Sequence, residues 1–206
     1  MTEPRTITVY IDFKSPYAYL AKDEVFDIAR DLGVRLRWLP YVLDISQFLG
    51  SATLGPDGQV IEESRNAHQW RRVRYSYMDC RRQARKKGLT IRGPQKIWDS
   101  TNAAVGMLFA SKQGDTVFRR YLDLVFERFW RRELDIEDVA VIAAVLTEAG
   151  CDGDAFPAWA EEGRAELAAV SRAAEAMGVF GVPTFELDGE IFWGREHLPD
   201  IAAMLR

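Results

Sequence analysis

Cysteine, histidine and unbroken apolar sequence are all scarce in this chain of 206 residues. The two cysteines, Cys80 and Cys151, lie far apart and form no CxxC pair, which excludes the usual dithiol redox motif and any cysteine-based zinc spacing. The two histidines, His68 and His197, have no metal-like partner one helical turn away, so no metal site is expected and both read as surface residues. No apolar run reaches the ~20 residues that a bilayer-spanning helix needs. The opening MTEPRTITVY lacks the apolar core of a secretion signal and enters a strand almost at once, so a cytoplasmic protein is expected, with its two thiols unpaired. A basic excess is missing too. The formal charge is −4, which gives no reason to expect nucleic acid as a partner.

What is present is enough apolar material, 48% of residues, for a sizeable core. TITVYIDF (6–13) alternates like a strand. Leu20, Val25, Phe26, Ile28, Ala29 and Leu32 then follow a helical stripe from Pro16 to Leu32, and Gly33 stands where a C-cap glycine belongs. VRLRWLPYV (34–42) alternates again. A βαβ unit implies a parallel strand pair with a crossover helix on one face. GSATLGPDG (50–58) reads as loop, 62–87 as a polar basic segment, and 95–113, 115–131, 136–149 and 154–177 as helices. PTFELDGEIFWG (183–194) is a hairpin turning at Asp188-Gly189, and a helix closes the chain with Pro199 in its early turns. The order predicts an α/β thioredoxin-like fold, βαβ…ββα, made of residues 1–45 plus 178–206. An all-helical insert domain of 46–177 divides its halves.

Ser15 sits where the first strand hands over to the first helix. The unpaired N–H groups there carry about half a positive charge, and a thiolate at such an end is stabilised. Serine cannot exchange disulfides, and it is either a plain N-cap followed by Pro16 or a hydrogen-bond donor to an anion that arrives from outside. In thioredoxin-like folds the bond preceding the proline at Pro183 is cis and faces the first helix. That would free the Val182 backbone to pair with an extended peptide. Taken alone, Pro183 would read as a trans proline opening an edge strand.

DFKSPYAYLA near the start, YSYMDCRRQA in the insert and GVFGVPTFELDGEIFWGREHL near the end resemble the 2-hydroxychromene-2-carboxylate isomerases and kappa-class glutathione transferases, in the DsbA-like branch of the thioredoxin superfamily. The resemblance spans nearly the whole chain. It implies glutathione, or another low-molecular-weight thiol, as cofactor, with Ser15 hydrogen-bonding the sulfur and Val182-Pro183 meeting the tripeptide backbone. The lysine of the family pattern falls on Arg72, whose fork suits a carboxylate; read from composition, Arg72 is equally the solvated face of a basic helix. The γ-glutamyl end would be met by Arg195-Glu196, where the family carries a serine and an acid. The family's asparagine and paired prolines upstream are absent, and Asn66 and His68 are out of register with them.

The resemblance implies a glutathione-dependent cis-trans isomerase in aromatic-compound degradation, with reversible thiolate addition as its chemistry, or a kappa-like transferase. Tyr17 and Trp193 would line the pocket for a small aromatic substrate. Phe126, Phe129 and Trp130 in the insert are a second candidate lining for that pocket, although Phe126 and Phe129 read as ordinary helix core. Relatives of this kind are often dimers, so a homodimer is expected, without membrane or nucleic-acid partners. A non-catalytic ligand- or peptide-binding protein is the rival within this fold. A redox oxidoreductase is argued against by the lack of cysteine at Ser15 and Ala18.

Overall fold

A computed structural model describes residues 4–206. Strand β1 (Thr6–Ile11) is buried at every residue but its first. Helix α1 (Pro16–Leu32) is capped by Ser15 and closed by Gly33 at φ 66°, a left-handed conformation that glycine adopts at no steric cost. Strand β2 (Arg35–Pro40) lies parallel to β1, from Thr6 opposite Arg35 to Ile11 opposite Pro40.

The chain then leaves the sheet through α2 (Ile45–Leu49), β3 (Ala52–Leu54), β4 (Val60–Glu63), α3 (Ala67–Lys86), α4 (Thr101–Ser111), α5 (Asp115–Trp130), α6 (Val139–Ala149) and α7 (Phe156–Met177). It returns as β5 (Thr184–Leu187), β6 (Glu190–Trp193) and α8 (Leu198–Met204), with Pro199 in the first turn of α8. β5 runs antiparallel to β1, and β6 antiparallel to β5, giving the order β2-β1-β5-β6. Asp188 at φ 52° and Gly189 at φ 87° make the tight turn between the last two strands, the backbone that Asp-Gly favours in a two-residue hairpin.

Three expectations are corrected. The insert is not all-helical, because the antiparallel β3–β4 hairpin runs from the segment read as loop into the start of the basic segment. Gly58 at φ 79° shapes its turn, and Leu54 N–H donates to the Gln95 carbonyl at 2.8 Å. The helix expected over 95–113 begins only at Thr101, where the Asp99 carboxylate accepts from the Thr101 N–H (2.9 Å) and hydroxyl (2.6 Å) and so starts the first turn. The basic helix begins at Ala67. Asn66 and Gln69 form a reciprocal capping box there, an ordinary structural use of that asparagine.

The sheet and the insert share one core. The Phe13 ring lies 4.8 Å from that of Phe126, and Tyr19 stacks on Phe126 at 5.3 Å, so α5 packs against the β1–α1 junction. Phe126, Phe129 and Trp130 are all buried here. Each such side chain taken from water contributes about 1.5–3 kcal/mol, which seats the insert firmly beside Ser15. Trp130 is therefore core and leaves the substrate pocket.

Candidate active site

The β1–α1 junction delivers Ser15 to the helix N-terminus with its side chain nearly closed off, 5% exposed. Its Oγ accepts from the Ala18 N–H at 3.3 Å and donates to the Val182 carbonyl at 3.4 Å. Both contacts are longer than the usual hydrogen-bond ranges, and the hydroxyl proton, which only the Val182 carbonyl receives, is loosely committed and open to a better acceptor. The Val182–Pro183 bond is cis. The Val182 carbonyl is taken by Ser15 and is not free, whereas its N–H has no backbone partner among the described residues. Around this pair, Thr184 Oγ1 donates to the Gly181 carbonyl at 2.7 Å, and the Gly194 N–H donates to the Pro183 carbonyl at 2.9 Å.

A cleft of about 710 Å³ opens over this junction. Ser15, Tyr17, Arg72, Val182 and Trp193 all line it, so five of the eight residues singled out in the sequence meet in one place; Pro183 lies buried behind Val182. Trp193 packs on Phe180 with ring centroids 4.8 Å apart at the open side. Phe48 of α2 and Leu54 of β3 close another side, so the hairpin missed in the sequence supplies part of the wall.

The remaining two go elsewhere. A 3₁₀ turn over Arg195–His197 points the Arg195 guanidinium to Glu24 of α1 (2.6 Å) and to Gln83 of α3, outside the cleft lining. Glu196 folds its carboxyl over Gly194, where an added Cβ would stand 2.6 Å from the carboxyl carbon, and it does not line the cleft either.

Charge divides the cleft from the rest of the chain. Among the described residues, Arg65, Arg72, Arg74, Arg81 and Arg132 line it without a carboxylate in ion-pair range, and no aspartate or glutamate lines it. Lys14 and Lys96 add two further cations, paired with Asp12 at 3.6 Å and Glu137 at 2.6 Å. A chain of net charge −4 thus presents a wholly cationic pocket. Such a pocket attracts anions and repels an ammonium.

Burial, with the neighbouring Cys80 thiol and the Asp79 charge of α3, pushes the Tyr17 phenol well above the ordinary tyrosine range, against a smaller opposing effect of the Ser76 hydroxyl. The phenol stays a proton donor at neutral pH. Burial pushes the Cys80 thiol up to about 11, so this cysteine is protonated and inert at physiological pH. Cys80 and Cys151 are both free and buried. No group of three or more His, Cys, Asp or Glu side chains arranged to hold a metal occurs among the described residues. A smaller cavity of about 290 Å³ is lined in part by Phe129, shares Pro94, Gln95, Trp98 and Arg132 with the cleft and contains none of the eight site residues.

Lys14 was overlooked in the sequence. Its signal was a lysine one residue before the cap, in DFKSP, at the end of an apolar strand.

Comparison with known proteins agrees with this architecture. Residues 6–206 match the family model of the DSBA-like thioredoxin domain. The chain is 26% identical to a 2-hydroxychromene-2-carboxylate isomerase of Sphingobium xenophagum, over 98% of each chain. It is 24% identical to one of Pseudomonas putida, over 93% of this chain and 90% of the other. A solved 2-hydroxychromene-2-carboxylate isomerase superposes with a TM-score of 0.73 at 22% identity, over 97% of this chain and 94% of the other.

Proposed function

Because the chain belongs to the DSBA-like thioredoxin family, we propose that it is an isomerase of the 2-hydroxychromene-2-carboxylate type, acting on a small aromatic substrate with a low-molecular-weight thiol, glutathione first, as cofactor. The observation that carries this is the meeting of a loosely bonded serine hydroxyl, a helix N-terminus and a free Val182 N–H in one cationic cleft.

The residues present fit a thiol of this kind at three points. Ser15 donates to the sulfur, and the α1 N-terminus favours its negative charge. Val182 offers its N–H to an extended amide chain, as an edge strand does. Arg72, exposed and without an ion-pair partner among the described residues, takes a carboxylate through its fork. The fourth point, an acid for the γ-glutamyl ammonium, has no residue in the cleft lining. A thiol so held supplies the nucleophile that lets a conjugated double bond rotate. Tyr17 and Trp193 flank the aromatic ring, and Phe48 and Leu54 keep water from one side of it. The protein works in this reading as a homodimer.

The test is the absorbance change of an aryl-substituted 2-oxo-3-enoate with the protein, with and without glutathione. Turnover that needs both, without consumption of the thiol, is the expected result. Stoichiometric thiol consumption would indicate a transferase instead. Saturable ligand binding without conversion would favour the binding-protein reading.

A further inference from the structure

Lys14 is the one cation of the cleft whose side chain is shut away from solvent, at 6% exposure. It follows β1 and immediately precedes Ser15, and it lines the same cleft. Its acidic neighbour, Asp12, compensates the charge but not the donors. The Lys14 Nζ to Asp12 Oδ2 distance of 3.6 Å is too long for a hydrogen bond. The Asp12 oxygens are already used, Oδ1 accepting from the Lys14 N–H at 3.1 Å and Oδ2 from the Leu43 N–H at 2.8 Å. Asp99 is near enough to feel Lys14 electrostatically, yet it is not in ion-pair range and spends Oδ1 on Thr101. An ammonium has three N–H donors and no acceptor capacity. Here its side chain is almost wholly enclosed, in a pocket with no acid among its described lining residues. Burying such a group is costly unless an anion completes its shell.

We infer that Lys14 is a substrate-binding residue that receives the carboxylate of an aromatic oxyacid at the floor of the cleft, beside Ser15. The assignment rests on reading this cleft as the substrate site. It fixes the direction in which the ligand enters. The anionic end goes inward to Lys14, and the aromatic end stays at the mouth between Phe48, Phe180 and Trp193, which are 59%, 55% and 48% exposed. Burial makes Lys14 selective, since a desolvated cation favours an anion that hydrogen-bonds it far more than an exposed arginine does. The exposed arginines of α3 then steer anions inward without choosing among them.

The experiment is calorimetric titration of phenylpyruvate, an aromatic 2-oxo acid, into the full-length protein and into Lys14→Met and Lys14→Arg variants. Benzylideneacetone serves as a neutral aromatic probe, and glutathione is titrated in parallel. Wild type is expected to bind phenylpyruvate saturably, Lys14→Met about tenfold or more weakly, and Lys14→Arg within a few-fold. Benzylideneacetone should bind wild type and Lys14→Met alike. Equal phenylpyruvate affinity in wild type and Lys14→Met, or no binding by wild type, overturns the assignment. So does an equal loss for the neutral probe, which would mark a collapsed pocket instead of a lost charge. Absence of glutathione binding alongside an intact phenylpyruvate difference would remove the cofactor reading and leave Lys14 in its role.

Discussion

Gly106 lies within α4 at the contact with α5 and α6, and replacing it by alanine sets two effects against each other. Helix propensity alone favours alanine by about 1 kcal/mol. The local packing opposes it. An added Cβ would collide with the Tyr121 hydroxyl and come within 2.8 Å of Ile142 Cγ2. Tyr121 is wholly buried and donates to the Ala103 carbonyl at 2.8 Å. Overpacking of a filled core costs about 1–3 kcal/mol, and a buried phenol driven off its acceptor costs about 1–3 kcal/mol more. The costs exceed the gain, leaving a net loss of about 1–5 kcal/mol, or about 2–20 °C in Tm for a chain of this length. Thermal and urea unfolding of Gly106→Ala would measure it. Tyr121→Phe removes the colliding oxygen, so the double variant should lose less than the two single variants together by about 1 kcal/mol or more. Gly106→Ala as stable as wild type, or a strictly additive pair, would refute this account of the insert's packing.

Two further outcomes follow from the site's surroundings. Cys80 has its thiol raised by burial, so the stability this confers is intact below the ordinary value of 9.0 and lost as pH climbs through about 11. The urea midpoint of wild type should fall more steeply than that of Cys80→Ala between about pH 8 and about pH 10.5, and parallel curves would contradict the burial argument. Glu24 holds Arg195 at 2.6 Å and Lys87 at 2.7 Å, with all three side chains partly exposed, so Glu24→Gln should cost less than about 1 kcal/mol per pair. Its glutathione titration should match wild type, because Arg195 faces away from the cleft; a changed affinity would return Arg195 to the ligand.

The parts legible in the sequence were those whose cause is local. β1, α1 and its caps follow from alternation, a helical stripe, Ser15-Pro16 and Gly33, and the last hairpin follows from Asp188-Gly189. Ser15 was legible because a cap position is set by its immediate neighbours. The β3–β4 hairpin was not, since its three- and four-residue strands are too short for a period to emerge and are held partly by the Leu54 to Gln95 bond across the insert. Arg195 was placed by sequence position at the ligand, but its direction is decided by Glu24, 171 residues away in the chain. Lys14 was missed for a similar reason. A lysine is ordinarily a surface residue, and only the packing of the insert over the β1–α1 junction turns this one into a buried cation.

The central claim is that the Ser15 hydroxyl serves a sulfur that the protein does not itself carry. Calorimetric titration of glutathione into wild type and Ser15→Ala tests it most directly, with unfolding curves of both to account for the cap, whose loss alone costs about 1 kcal/mol of stability. Saturable binding by wild type, weakened about tenfold or more in Ser15→Ala while the variant stays folded, is the predicted result. No binding by wild type at millimolar glutathione, or the same affinity in both proteins, would contradict it.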